Sequence, residues 1–235
     1  MALGTPTTPT AAVHTTSSQT VVSGSFTPTA NALLICHVNG QNGTAPSVPT
    51  ISDSGGLTWT LITSSGGTFN STNRCVSVWA IAPASPSAIT VQADWGASIT
   101  GSCLALVQIT GADATTPILA GSTAGTSGSS TTPAPGTVPA ITVGNVQLLM
   151  VATRAASSSP ESGAWTELYD HSTGGACAVA GYYSTAGDTS PTSTTSSAPW
   201  RAVAFEVAVA ASGGVGPDLI RSIGPRVRRP SASCW

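Results

Sequence analysis

Apolar and polar positions along the chain follow strand periods throughout. Ala32–Val38 is apolar almost without interruption, which fits a strand buried on both faces. Leu57–Thr63 sets Leu, Trp and Leu against Thr, Thr and Ile, as a half-buried strand does. A Gly-rich turn at Ser64–Asn73 joins it to a strand over Arg74–Ala82, making a hairpin. Further strands are expected at Val21–Phe26, near Val48–Ile51, at Ala88–Ala93 and at Ser102–Thr110. In the second half they are expected near 146–153, 164–170, 176–184 and 200–210. No segment carries a convincing 3.6-residue period, and turn residues recur at sandwich-like intervals.

The same series occurs twice. Asn31-Ala-Leu-Leu-Ile-Cys-His-Val38 has a counterpart in Asn145-Val-Gln-Leu-Leu-Met-Val-Ala152. Leu57-Thr-Trp-Thr-Leu-Ile62 matches Ala164-Trp-Thr-Glu-Leu-Tyr169, each after an acidic-Ser-Gly lead-in. Cys75-Val-Ser-Val-Trp79 matches Cys177-Ala-Val-Ala-Gly181, and Cys103–Ile109 matches Arg201–Val207. The offset drifts from 145 − 31 = 114 through 165 − 59 = 106 to 206 − 108 = 98. The pattern predicts an all-β, jelly-roll-like β-sandwich built from two pseudo-repeated four-strand units. The expected limits are an extended N-terminal arm over 1–20 and a sandwich over 21–211, with repeats at about 21–112 and 137–211. A flexible linker and C-terminal tail are expected over 212–235. Gly111–Gly136, nearly all small residues with Ser and Thr, reads as a crossover, with Thr115–Leu119 as an edge strand.

Composition sharpens this picture. Charged residues make up only 7% of the 235 residues, against about 25% in ordinary globular domains. Lysine is absent, and hydrophobic residues reach 40%. The polar surface therefore rests on Ser, Thr, Asn, Gln and Gly. A net charge of −2 offers no footprint for nucleic acid or an anionic membrane over the main domain. The N-terminus has neither the positive nor the apolar region of a signal peptide, and no apolar run nears a membrane span. A cytosolic product with the composition of an exported surface protein fits a virus particle, which assembles inside the cell and works outside; another export route would reconcile the two as well.

Candidate chemistry is sparse. The five cysteines are widely spaced with no CxxC pair, so neither zinc nor redox chemistry is indicated. Buried thiols are the stronger reading, with Cys75–Cys103 or Cys36–Cys103 bridges open. His14, His37 and His171 form no ligand motif. Among scattered acids, Glu167 and Glu206 are the pair to test for glycosidase spacing, with surface or interface polar residues as the better reading. No GxSxG elbow occurs, and a P-loop needs a lysine the chain lacks. No catalytic residue, metal or cofactor is expected, and the chain reads as a non-enzyme.

Two features suggest contacts with a partner. Arg221, Arg226, Arg228 and Arg229 crowd the last fifteen residues beside Trp235, as in a docking peptide. Trp59, Trp165 and Trp79 read as structural. Trp95, with Tyr182 and Tyr183, is the candidate for a glycan or protein contact.

The run Ser25-Phe-Thr-Pro-Thr-Ala-Asn-Ala-Leu-Leu-Ile35, then Ile51–Thr60, Val78-Trp-Ala-Ile-Ala-Pro83 and Leu104–Ala112, resembles tailed-bacteriophage virion proteins of the capsid-decoration or minor-tail type. The resemblance covers most of 20–211 and leaves out the Arg-rich tail. It implies a β-sandwich subunit on a particle, in contact with the major capsid or tail protein and assembled there as a homo-oligomer. It brings no catalytic residues. The competing expectation is a carbohydrate-binding or adhesive module for host attachment, and the weakest is a hydrolase.

Overall fold

The computed structural model describes residues 2–62, 67–154, 158–160, 165–172, 177–196 and 198–211. Among them there is no α-helix. The strands are β1 (Val13–Val22), β2 (Leu33–Gln41), β3 (Thr50–Asp53), β4 (Thr60–Leu61), β5 (Gly67–Thr68), β6 (Asn73–Ile81) and β7 (Val91–Ile109) in the first half. The second half holds β8 (Ala124–Ser130), β9 (Val146–Thr153), β10 (Ser158–Pro160), β11 (Thr166–Ser172), β12 (Ala178–Ser184), β13 (Ser193–Thr195) and β14 (Ala198–Val207).

These strands form an all-β sandwich of two antiparallel sheets. One has the order β1-β7-β2-β6-β4, with β3 on β7 and β5 on β6; the other has the order β11-β12-β9-β14-β8. Read from the opposite end, the second order repeats the first, with β8 in the place of β1 and β11 in the place of β4. Each sheet is drawn from one half of the chain. β2 lies over β9 and β12, and β7 over β11 and β12. The orders therefore run in opposite directions across the interface, as a two-fold relation requires. One seam brings β1 to β11, and the other brings β4 to the segment leading into β8.

Three apolar layers hold this arrangement. Between the sheets, Leu33, Ile35, Val107 and Ile109 meet Val146, Leu148, Met150, Val203, Phe205 and Val207. The outer face of the first sheet buries Leu34, Cys36 and Val38 against Val21, Phe26, Ile89, Val91 and Trp95. The outer face of the second buries Leu149, Val151, Tyr182 and Ala204 with Trp165 and Trp200. Both central strands are thus buried on both faces, as the unbroken apolar run of β2 predicts.

β7 supplies the outer cover of the first sheet. Its C-terminal half pairs with β2, and its N-terminal half pairs with β3. The strand turns between them at Gly96, whose φ of +74° is costly for any residue with a Cβ. Asp94 fixes the turn by accepting the Gly96 N–H at 2.8 Å. β1 follows β7 through the bend, with a register shift between Ser18 and Thr20 beside Ser17 at φ 51°. In the second half β13 pairs with β10 as β7 pairs with β3.

Several expectations change. The arm over 1–20 runs into the sheet: β1 spans Val13–Val22, and Gly4 and Thr7 bond to Thr110 and Gln108. The crossover Gly111–Gly136 contains β8, and a further strand, β13, precedes β14 where no strand is expected. Each repeat therefore holds more than four strands and begins one strand earlier than its apolar signature. The expected strand at Thr115–Leu119 is reduced to a bridge from Ile118 to Val207, extended by Leu119 N–H donating to Glu206.

The repeat alignment also shifts by one residue in β2 and β9. Leu33 pairs with Ile109 and Val146 with Val207, so the offsets are 146 − 33 = 113 and 207 − 109 = 98. An offset of 114 would equate Leu34 with Leu148, yet Leu34 faces outward and Leu148 faces the shared core. A one-residue slip changes the face of every side chain in a strand. By the same register Val179, not Cys177, takes the place of Cys75.

Candidate functional site

The space between the sheets is apolar at one end and polar at the other. At the polar end His37 is fully buried, with Nδ1 2.8 Å from the Ser77 hydroxyl. Its ring also bonds to the Val151 backbone in the facing sheet, and Nε2 lies 3.8 Å from Cys75 Sγ. Two strand positions on, Asn39 donates through Nδ2 to the carbonyls of Thr153 at 2.9 Å and Ala178 at 3.1 Å. These groups tie β2 directly to β9 and β12. The Tyr169 ring stands over Gly181, where an added Cβ would come within 2.4 Å of it.

Burial sets the electrostatics here. It lowers the His37 pKa to about 4, the Val151 bond working in the opposite direction and the Arg201 charge adding to the fall. The Cys75 thiol is pushed up to about 12 by burial, opposed by Arg201. The Tyr169 hydroxyl is raised well above its ordinary range by burial first and by its neighbours second. A Ser–His pair is formally a nucleophile and base. Both side chains have zero exposure, so this pair bridges sheets and presents no face to a substrate.

The two seams are the places where side chains from both halves reach the surface. At the first, His14 Nδ1 lies 3.0 Å from His171 Nε2, across 157 residues of sequence. The rings are 5.1 Å apart between centroids. Partial burial lowers the His171 pKa, and the neighbouring His14 lowers it further. Behind them Cys103 Sγ lies 2.9 Å from Cys177 Sγ and donates to the Cys177 carbonyl at 3.2 Å. No group of three or more His, Cys, Asp or Glu side chains converges among the described residues.

The second seam is open. A cleft of about 520 Å³ runs between Thr60 and Leu61 on one side and Ile118, Gly121 and Thr123 on the other, with Trp79 on its wall. Leu61 is 48% exposed there, one of few exposed large apolar side chains among the described residues. A smaller cleft of about 220 Å³ lies where Leu3–Pro6 cross Tyr183 and Val146.

The sequence-level candidates divide accordingly. Trp95 is not exposed: it is 3% accessible, packs against Gly40, and donates Nε1 to Ser102 Oγ at 3.0 Å. Its loop position is a bend inside β7, and the bend turns the ring inward. Tyr182 is fully buried on the outer face of the second sheet, while Tyr183 is half-buried beneath the N-terminal segment. Strand alternation sends these neighbours to opposite faces. Trp59 and Trp165 are both structural and both donate to carboxylates, Asp53 at 2.8 Å and Asp188 at 3.4 Å.

Glu167 and Glu206 do not form a glycosidase pair. β12 and β9 lie between their strands, a separation of about 14 Å at three strand spacings. Glu206 is buried and accepts from Thr142 N at 2.7 Å and Asn145 Nδ2 at 2.6 Å. Neither Cys75 nor Cys36 faces Cys103 as a bridge partner; Cys177 does. The tail residues Arg221, Arg226, Arg228, Arg229 and Trp235 lie outside the described residues. Three things were missed in sequence: the His14–His171 contact, the Cys103–Cys177 contact and the open seam. Each depends on the second sheet lying reversed over the first, and local spacing carries no signal for that.

No family model, curated protein or solved structure matches the chain.

Proposed function

We propose that the chain is a bacteriophage virion structural protein that decorates or stabilises the capsid or tail surface through protein–protein contacts. The observation that carries this reading is the duplicated sandwich, which agrees with the fold implied by the motifs of residues 25–112. Its buried polar groups support the reading too, since His37, Ser77 and Asn39 are occupied in joining the sheets. A surface almost free of charge suits extended contact with neighbouring subunits, and specific contacts of this kind bury about 1,200–2,000 Å². The major capsid or tail protein is the partner, with the Arg-rich tail as a second attachment.

Particles purified from the source material test this. Cryo-electron microscopy is expected to place the chain at defined symmetric positions on the capsid or tail. Removing residues 213–235 is expected to leave the fold intact and lower occupancy. A chain absent from particles would discard the reading, and unchanged occupancy after truncation would discard the role of the tail.

The open seam favours a second reading, a carbohydrate-binding module. An aromatic wall at Trp79 with Thr60 and Thr123 hydroxyls nearby is a combination that stacks and hydrogen-bonds sugars. A glycan array probed with the full chain and with Trp79→Ala separates the two. Signal lost in the variant supports sugar binding, and no signal in either removes it.

A further inference from the structure

The closed seam holds a pair of thiols placed for a covalent bond. Cys103 projects from β7 and Cys177 from the start of β12, so the pair spans the two sheets. Both are wholly buried, and their sulfurs are 2.9 Å apart. A disulfide needs sulfurs near 2.05 Å, so less than 1 Å of approach separates contact from bond. The other two described cysteines have different settings: Cys36 packs in the outer layer, and Cys75 lies beside Phe69 and His37. We propose that Cys103 and Cys177 are an oxidative modification site, forming a disulfide that staples the two halves of the sandwich together.

The chemistry fixes when the bond forms. Thiolate is the attacking species in exchange, and in the closed seam Cys103 is held strongly as thiol by its contact with Cys177 and by burial. A low-molecular-weight disulfide therefore reacts while the sheets are still apart, during folding or on opening. One thiolate displaces a small thiol from that disulfide and forms a mixed disulfide. As the sheets close, the second cysteine attacks it and releases a second small thiol. Two S–H bonds and one S–S bond are exchanged for one protein S–S bond and two small thiols, and the protein loses two electrons and two protons. Once shut, the bond is shielded from reductant. A chain made reduced in a cytosol and then exposed to an oxidising exterior would cross this boundary once.

The bond would close a loop of 177 − 103 = 74 residues between the two halves, a span that strongly restricts the unfolded chain. The full-length protein, denatured and reduced, is refolded in oxidised and reduced glutathione. Free thiols are then alkylated in denaturant, where all five cysteines are accessible, and the protein is digested with pepsin at acid pH without reduction. Mass spectrometry is expected to find the Cys103–Cys177 peptide pair linked, with Cys36 and Cys75 alkylated. The melting temperature is expected to exceed that of the reduced protein by roughly 10 °C. Cys103→Ser and Cys177→Ser are each expected to remove that gap, whereas Cys36→Ser keeps it. Alkylation of both Cys103 and Cys177 after refolding, or a bond from either to Cys36, Cys75 or Cys234, would overturn the proposal.

Discussion

At the scale of single residues, shape complementarity in the outer layers and protonation in the middle layer set different sensitivities. Gly40 lies beneath the Trp95 indole, and an added Cβ would come within 2.4 Å of the ring. Trp95 cannot retreat, because its Nε1 is held by Ser102 and its own turn is fixed by Asp94. Gly40→Ala is therefore expected to cost about 1–3 kcal/mol, read as a lower urea midpoint at unchanged slope. Gly43, with open space around it, serves as the matched control and is expected to tolerate alanine. His37 governs the response to acid. Its folded pKa of about 4 lies below the ordinary 6.5, so the unfolded chain binds the proton first. The stability it contributes is complete above about pH 6.5 and is lost as pH falls toward 4. The total is roughly 3 kcal/mol. His171 shifts in the same direction and reinforces the loss. Urea unfolding between pH 7 and 4.5 is expected to show this slope. His37→Asn is expected to flatten it, whatever its effect at neutral pH.

At the scale of elements, legibility followed burial. β2, β6, β9 and β14 carry continuous or alternating apolar residues and are readable to within three residues at each end. β1 and β8 were not. Their sequences, VHTTSSQTVV and AGTSGSS, have the composition of linkers. Both are outer strands whose side chains are mostly half-exposed, so their place is set by backbone bonds to β7 and β14 rather than by an apolar face. Trp95 was misjudged for a related reason: a polar Asp-Trp-Gly run reads as a surface loop unless the bend in β7 is known. The contribution of β1 can be measured. It protects the edge of β7 along both of its halves and covers the outer core through Val21. A chain starting at Gly24 would leave that edge open, and open edges recruit other chains. Such a truncation is expected to aggregate or dimerise in light scattering at concentrations where the full chain keeps its native size. Unchanged size and melting temperature would show that β1 is dispensable.

At the scale of the whole molecule, the near-repeat of the two halves raises the question of why one half does not simply pair with itself. The inner face of either sheet is apolar at Leu33, Ile35 and Ile109 or at Leu148, Phe205 and Val207, so each half needs a lid. Apolar burial alone would accept two copies of the same half. The polar end does not. Asn39 reaches across to the Thr153 and Ala178 carbonyls and His37 to the Val151 backbone, and both side chains fill space that the facing sheet leaves open. Under the two-fold relation the position matching Asn39 is Ala152, 39 + 113, so the hydrogen-bonding side chain comes from one half only. A homodimer of the first half would put a second Asn39 where the buried Ala152 stands, and forcing the larger side chain into that filled interior costs about 1–3 kcal/mol. Fragments 1–114 and 115–211, between which the Ala112–Val209 bridge runs while the Ile118–Val207 bridge stays within the second, are therefore expected to be insoluble or unfolded alone and to form a soluble one-to-one complex when co-expressed. Asn39→Ala in the first fragment reproduces the small side chain of Ala152 and is expected to allow self-association. Size-exclusion chromatography with light scattering reads all three outcomes. A first fragment that folds as a stable monomer would show that the sheets do not depend on each other, and one that dimerises without the substitution would show that Asn39 does not enforce the pairing.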